Sequence, residues 1–176
     1  MDELEIVGGF ERQLTDKECT IIRKMMIEEN GIREIFGNTL RLFGMDYQGL
    51  IKYNNEYIGF FLLVRERINN IYFVDRAIKE QYRNLGIGTL IMKYIVENYP
   101  YDDYLISETR ENNKAAISSA LKVGKLILEK DELRYYLLNK SEQEFRDSGM
   151  YDKFIEYENK PKLKSYEMMR KIMNER

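Results

Sequence analysis

The chain of 176 residues contains no histidine, a single cysteine and no long apolar run. The missing histidine removes the commonest metal ligand and the commonest general base together. One thiol, Cys19, cannot cross-link the chain to itself, which suits a reducing compartment and makes the cytoplasm the expected location. No apolar stretch approaches the roughly 18 residues needed to cross a bilayer, and the acidic opening MDELE does not have the form of a secretion signal. A net charge of −2 leaves no basic excess, so neither nucleic acid nor an anionic membrane is an expected partner. What remains, 44 % apolar and 33 % charged residues, is the composition of an ordinary globular chain, long enough for one domain with a sizeable core.

The most informative stretch is Ile71 to Asn98. Its start, Ile71 to Ile78, is rich in β-branched and aromatic residues and reads as a buried strand. A polar turn from Lys79 to Arg83 leads to Gly86 and Gly88. Beyond them Ile87, Leu90, Ile91, Tyr94 and Ile95 recur at helical spacing. The glycines thus stand where a strand hands over to a helix. Unpaired amides and aligned peptide dipoles make a helix start attractive to anions, glycine lets a phosphate approach the backbone, and Arg83 stands just ahead with a cationic fork. A phosphate or pyrophosphate is the expected ligand. The dinucleotide fingerprint is excluded because its third glycine position holds Ile91, and no G-K-[ST] completes a Walker loop.

Around this centre the chain reads as alternating strands and helices. Leu4 to Phe10 is a short strand, and Thr15 with Glu18 forms a capping box opening a helix with Cys19, Ile22 and Met26 on one stripe. On that stripe Cys19 reads as a small core residue. A short helix, Arg33 to Phe36, follows. Strands Gln48–Tyr53 and Tyr57–Val64 flank a turn at Asn54-Asn55, and Asn69-Asn70 turns into the central strand. Pro100 stops the glycine-led helix before a strand from Tyr104 to Ser107. A helix from Asn113 to Val123 is expected to bury Ala116, Ile117, Ala120 and Leu121 and to end on Gly124 as a left-handed cap. Strands Lys125–Leu128 and Leu133–Asn139 close a mixed α/β (α+β) sheet, residues 1–140. Residues 141–176 read as a helical extension: Ser141 with Glu144 makes a capping box, Gly149 interrupts, and Pro161 opens a last helix. Its helices are expected to pack on the domain or to form a homodimer.

Arg83-Asn84-Leu85-Gly86-Ile87-Gly88 resembles the acyl-CoA loop, Q/R-x-x-G-x-G/A, of the GNAT superfamily of N-acetyltransferases. Glu108-Thr109-Arg110-Glu111-Asn112-Asn113 resembles the family's E-V-R-x-x-N, with Ala116, Ala120, Lys122 and Gly124 at its downstream spacing. The resemblance implies the GNAT fold, acetyl-CoA as acyl donor without a metal, and an amine acceptor held partly by the region after the first helix. It implies that backbone groups of Ala77 and Ile78 and of Asn84, Leu85, Gly86, Ile87, Gly88 and Thr89, with Arg83, cradle the pantetheine and pyrophosphate. Asn113 matches the asparagine that bonds the pantetheine arm and is also a good helix cap. Glu108 matches the base of enzymes that acetylate protein N-termini, with a strand-end ion pair as the competing role. Tyr72 lies near the position where the family's histone-acetylating branch carries its base, and a phenol there speaks against that branch's chemistry; Asp75, on the same strand, is a weaker candidate. Two positions depart from the pattern: Ala120 replaces the tyrosine that reprotonates CoA, and Lys125 replaces a phenylalanine. With that tyrosine missing, Ser119, a water or departure as thiolate are the alternatives. An acyl-CoA-binding module without catalysis, and an interaction domain working through its C-terminal helices, compete with the enzyme.

Overall fold

The computed structural model describes residues 4–30, 45–65 and 68–160. In chain order these form β1 (Leu4–Gly9), α1 (Asp16–Asn30), β2 (Met45–Tyr53), β3 (Glu56–Arg65), β4 (Ile71–Ile78), α2 (Ile87–Asn98), β5 (Tyr104–Arg110), α3 (Lys114–Leu121), β6 (Lys125–Lys130), β7 (Leu133–Leu137), α4 (Glu142–Asp147) and α5 (Met150–Asn159). The strands make one sheet in the order β1-β2-β3-β4-β5-β7-β6. Every neighbouring pair is antiparallel except β4 and β5. This is the expected mixed, mostly antiparallel sheet flanked by helices.

Local chemistry accounts for the turns. Asn54 and Asn55 both adopt positive φ, 47° and 63°, which gives the β2–β3 hairpin a turn whose twist matches the strands. Asn70, at φ 65°, turns the chain into β4. The Thr15–Glu18 box forms as expected: Glu18 N donates to Thr15 Oγ1 and Thr15 N to Glu18 Oε1. So does the box of Ser141 and Glu144.

Strand alternation divides the core between the two faces of the sheet. One face packs Phe61, Leu63, Tyr72, Val74, Leu105 and Tyr136 against Ile87, Ile91 and Ile95 of α2 and Ala120 of α3. The other carries two clusters. Ile22, Met25 and Met26 of α1 cover Leu50, Phe60, Leu62 and Ala77, while Phe145, Met150 and Phe154 of α4 and α5 cover Ile71, Ile106, Tyr135 and Leu137. Residues 142–159 therefore pack on the sheet of their own chain. The expected helices at Arg33–Phe36 and after Pro161 lie outside the described residues.

Three expectations are corrected. Leu121, expected in the core, is 55 % exposed, because α3 is short and only Ala120 of its apolar residues is fully covered. Gly124 is not a left-handed cap; α3 closes at Lys122 in right-handed conformation. The glycine is needed for closeness instead, since a Cβ there would lie 2.3 Å from Leu137 O. Finally, β5 runs three residues past Ser107, because β7 continues to pair with it as far as Arg110↔Leu133. Glu108 is thereby held inside a strand rather than at its end.

Phe154 is fully buried, its ring 5.4 Å from that of Tyr135 and 6.0 Å from that of Phe145. Phe154→Ala is expected to lower the unfolding free energy by about 3–5 kcal/mol in urea titrations. A variant as stable as wild type would mean that α5 adds nothing to the core. Ahead of α1 Arg12 bonds both carboxylate oxygens of Glu18, each at 2.8 Å, and this holds the carboxyl down at about 2. A carboxyl depressed on folding stabilises above its unfolded pKa, near 4.5, and the contribution is lost as pH falls toward 2. Glu18→Gln should flatten the fall in melting temperature across that window; curves parallel to wild type would exclude the assignment.

Candidate active site

The centre of the sheet is where two parallel strands part. β4 and β5 pair only at Ile71↔Tyr104, Tyr72↔Leu105 and Phe73↔Ile106. Beyond that point β4 stays with β3 as far as Gly59↔Ile78, and β5 stays with β7. Each strand keeps its outer partner and loses its inner one, so a cleft opens through the middle of the sheet between residues 74–78 and 107–110.

The glycine loop stands at the mouth of this cleft. Lys79 N bonds Ile58 O at 2.8 Å, and Lys79 Nζ and the Tyr82 hydroxyl bond the Glu56 carboxylate at 2.9 and 2.7 Å, so the turn after β4 is tied to the start of β3. Gly86 then adopts φ 79° as the residue preceding α2, and a Cβ there would meet nothing within 4 Å. Its space is open, while its backbone conformation is one that L side chains rarely adopt. Thr89 N and Leu90 N both bond Gly86 O at 3.1 Å. The two preceding amides, of Ile87 and Gly88, belong to the turn that a helix leaves unpaired and carry its positive pole. Residues 83–89 and the end of β4, where Ala77 and Ile78 lie, are thus brought together. Arg83 is exposed, and its Nε donates to Ile78 O at 2.8 Å.

Asn113 caps α3, its Oδ1 accepting from Ala116 N at 3.1 Å, and its side chain is exposed. Ser119 on the same helix faces Gly88: a Cβ on that glycine would lie 3.4 Å from Ser119 Oγ and 3.6 Å from Arg76 Nε. Arg76 escapes a reading by motif. The available signal is strand parity, which sets an arginine between the inward-facing Val74 and Ile78.

Glu108 lies on the opposite face, exposed, directly across the strand pair from Tyr135. Tyr135 is 1 % exposed, and its hydroxyl donates to Glu158 Oε2 of α5 at 2.7 Å. Burial, then the negative charge of Glu108 and the bond to Glu158, drive this phenol far above its ordinary pKa. The shift favours the neutral phenol, which donates to Glu158. Tyr135 and Glu158 carry no motif and are found through the cross-strand register and the packing of α5. Asp75 shares this face; it touches the solvent of the cleft yet is walled by protein, and burial pushes its carboxyl up against the opposing backbone amide of Arg76.

Tyr72 belongs to the closed end. Its hydroxyl donates to Asp46 Oδ2 at 2.5 Å, the guanidinium of Arg65 sits 5.0 Å from its ring centre, and burial followed by Asp46 pushes the phenol up to about 12. A cavity of about 1310 Å³ lies at that end, lined among others by Tyr47, Tyr72, Tyr99, Asp103 and Lys140; no residue of the glycine loop borders it. Cys19 is buried, as expected. No cluster that could hold a metal ion occurs among the described residues, and no helix among them is long and apolar enough to cross a membrane.

Comparison with known proteins agrees with this geometry. The model of the acetyltransferase (GNAT) family matches residues 20–124. Among solved structures, a GNAT family acetyltransferase from Elizabethkingia anophelis with acetyl-CoA bound superposes with a TM-score of 0.56 at 15 % identity, over 80 % of this chain and 100 % of the other. A Bacillus subtilis acetyltransferase in complex with CoA gives 0.56 at 14 % identity, over 79 % and 100 %. The ribosomal-protein-S18-alanine N-acetyltransferase of Escherichia coli gives 0.57 at 10 % identity, over 79 % and 96 %. At these identities the likeness is one of fold. No curated protein matches the sequence. With the family's model covering more than half its length, and with the family's fold around a parted strand pair, this chain belongs to the GNAT family of acetyltransferases.

Proposed function

We propose that the protein transfers an acetyl group from acetyl-CoA to a primary amine of a small-molecule, peptide or protein acceptor, by direct attack on the thioester. The observation that carries the reading is the separation of β4 from β5 after three residue pairs, beside a left-handed glycine that opens α2. The residues there suit the donor: bare amides and a helix dipole for the diphosphate, and unobstructed space before Gly86. In this reading Ala77, Ile78, Arg83, Asn84, Leu85, Gly86, Ile87, Gly88 and Thr89 line the donor's path, and Asn113 bonds the pantetheine arm through the amide nitrogen that its capping role leaves over. Bound there, acetyl-CoA supplies the activated thioester carbonyl.

The acceptor amine must lose a proton, at a cost on the order of 4 kcal/mol near pH 7 for a lysine-like group. Glu108 is the proposed base, directly or through a water. Its place mid-strand, opposite the rigid and neutral Tyr135, supports the role over that of a strand-end ion pair. Residues 1–140 form the catalytic unit and 141–176 an extension whose α5 stands beside Glu108. The reaction needs neither metal, nucleic acid nor membrane, and we place it in the cytoplasm.

One observation favours a second reading. Ala120 is fully buried and brings no hydroxyl to the position where the family carries its proton donor, so a donor-binding module without turnover is the alternative. An amine panel with acetyl-CoA, read as free thiol, separates the two: release with any acceptor supports the enzyme, and binding without release supports the module. Glu108→Gln should lower kcat by about 10²- to 10⁴-fold while acetyl-CoA affinity stays nearly unchanged; a fully active variant removes Glu108 from the mechanism. Gly86→Glu sets a carboxylate where the diphosphate is expected and strains the left-handed turn. Calorimetry should show CoA binding weakened by at least about a hundred-fold in a protein that still folds. Unchanged affinity would overturn the diphosphate assignment.

A further inference from the structure

Arg76 breaks the pattern of its own strand. On β4, Tyr72, Val74 and Ile78 point into the apolar layer beneath α2, and alternation asks for another apolar side chain at 76. An arginine stands there instead, half-buried. A long cationic side chain on an apolar face normally carries its head out to water. Here the head turns inward to α2. A Cβ on Gly88 would lie 3.6 Å from Arg76 Nε and 3.9 Å from Nη2, with Ser119 Oγ at 3.4 Å on the neighbouring helix.

The guanidinium therefore rests against the first turn of α2, where the Ile87 and Gly88 amides point the same partial charge toward the same space. Burial lowers its proton affinity, and the charge of adjacent Asp75 is what opposes this. Asp75 itself is on the other face of the strand. Among the described residues Arg76 has no hydrogen-bond or ion-pair partner for its side chain. The other arginine near the loop, Arg83, already donates to a backbone carbonyl. Across the cleft the Thr109 hydroxyl, on a residue 6 % exposed, also reaches no partner at hydrogen-bond distance, although it faces the Tyr136 phenol closely enough to bear on its titration. A desolvated cation beside unpaired amides is costly to keep unless a ligand completes it.

We infer that Arg76 is a donor-binding residue, holding an oxyanion of the acyl donor against the first turn of α2. The inference rests on the proposed acyl-CoA reading and adds to it a side chain that no motif contains. Two sources could bring the oxyanion: a phosphate of CoA, or a carboxylate on a dicarboxylic acyl group carried by the thioester.

Isothermal calorimetry of the full chain against CoA, acetyl-CoA and succinyl-CoA tests it, on wild type, Arg76→Met and Arg76→Lys, with thermal unfolding of each ligand-free protein alongside. Arg76→Met is expected to fold with a midpoint equal to or above wild type, because an unpaired cation has been removed from a partly buried place. Its affinity for CoA and acetyl-CoA should fall by about ten- to a hundred-fold. Arg76→Lys should lie between, keeping the charge without the fork. A loss confined to succinyl-CoA assigns the oxyanion to the acyl group instead of a phosphate. Arg76→Met binding all three ligands as wild type does overturns the inference, as does a lowered midpoint in the ligand-free variant, which marks a structural arginine. If wild type binds none of the three, the acyl-CoA reading falls and Arg76 with it; if wild type binds and Arg76→Met is unchanged, Arg76 alone falls.

Discussion

The structure depends on a hydrogen-bond ladder that stops. β4 and β5 start side by side and in register, then each follows a different antiparallel neighbour. A parallel pair is the weaker kind of ladder, and here it is also short, so the antiparallel pairings on either side decide where the two strands go. The sheet loses backbone hydrogen bonds at its centre and gains a cleft with polar main chain on both walls. Around that cleft the fold sorts chemistry by face: the α2 side presents a helix start and a cation, and the opposite side presents carboxylates.

That sorting follows from strand parity. Asp75 and Arg76 are consecutive, and so are Glu108 and Thr109, yet within each pair the two side chains serve opposite faces. Acid and cation can thus stand at adjacent positions without forming an ion pair with one another. Tyr135 sits at the middle of the acidic face as a buried donor, its hydroxyl engaged by Glu158. A phenol pushed up in this way gives Glu108 a neutral neighbour directly across the strand pair.

How much could be read without coordinates varied with range. The glycine loop, its strand and its helix were legible because the signals are local: a β-branched run, two glycines, then a 3.6-residue apolar repeat. The asparagine turns and both capping boxes were legible for the same reason. What failed depended on partners distant in the chain. Leu121 looks like a core residue on a helical wheel, yet it stands 55 % exposed. Gly124 looks like a helix cap, but its requirement is set by the backbone of Leu137. Arg76 and Glu158 sit in no recognisable motif, and their meaning comes only from Gly88 and Tyr135, which fold against them.

The contact between Glu158 and Tyr135 has an evolutionary consequence. Glu158 stands on α5, past the last strand of the sheet and past the matched family region, which ends at residue 124. Through the Tyr135 hydroxyl α5 is joined to the strand pair that carries Glu108, while on the other face of the sheet α2 and α3 pack together among the described residues. Mutations accumulating in α5 can therefore alter the surroundings of Glu108, while the opposite face, with Gly86, Gly88 and Arg76, keeps its own packing. A lineage built this way can vary one face of the cleft independently of the other.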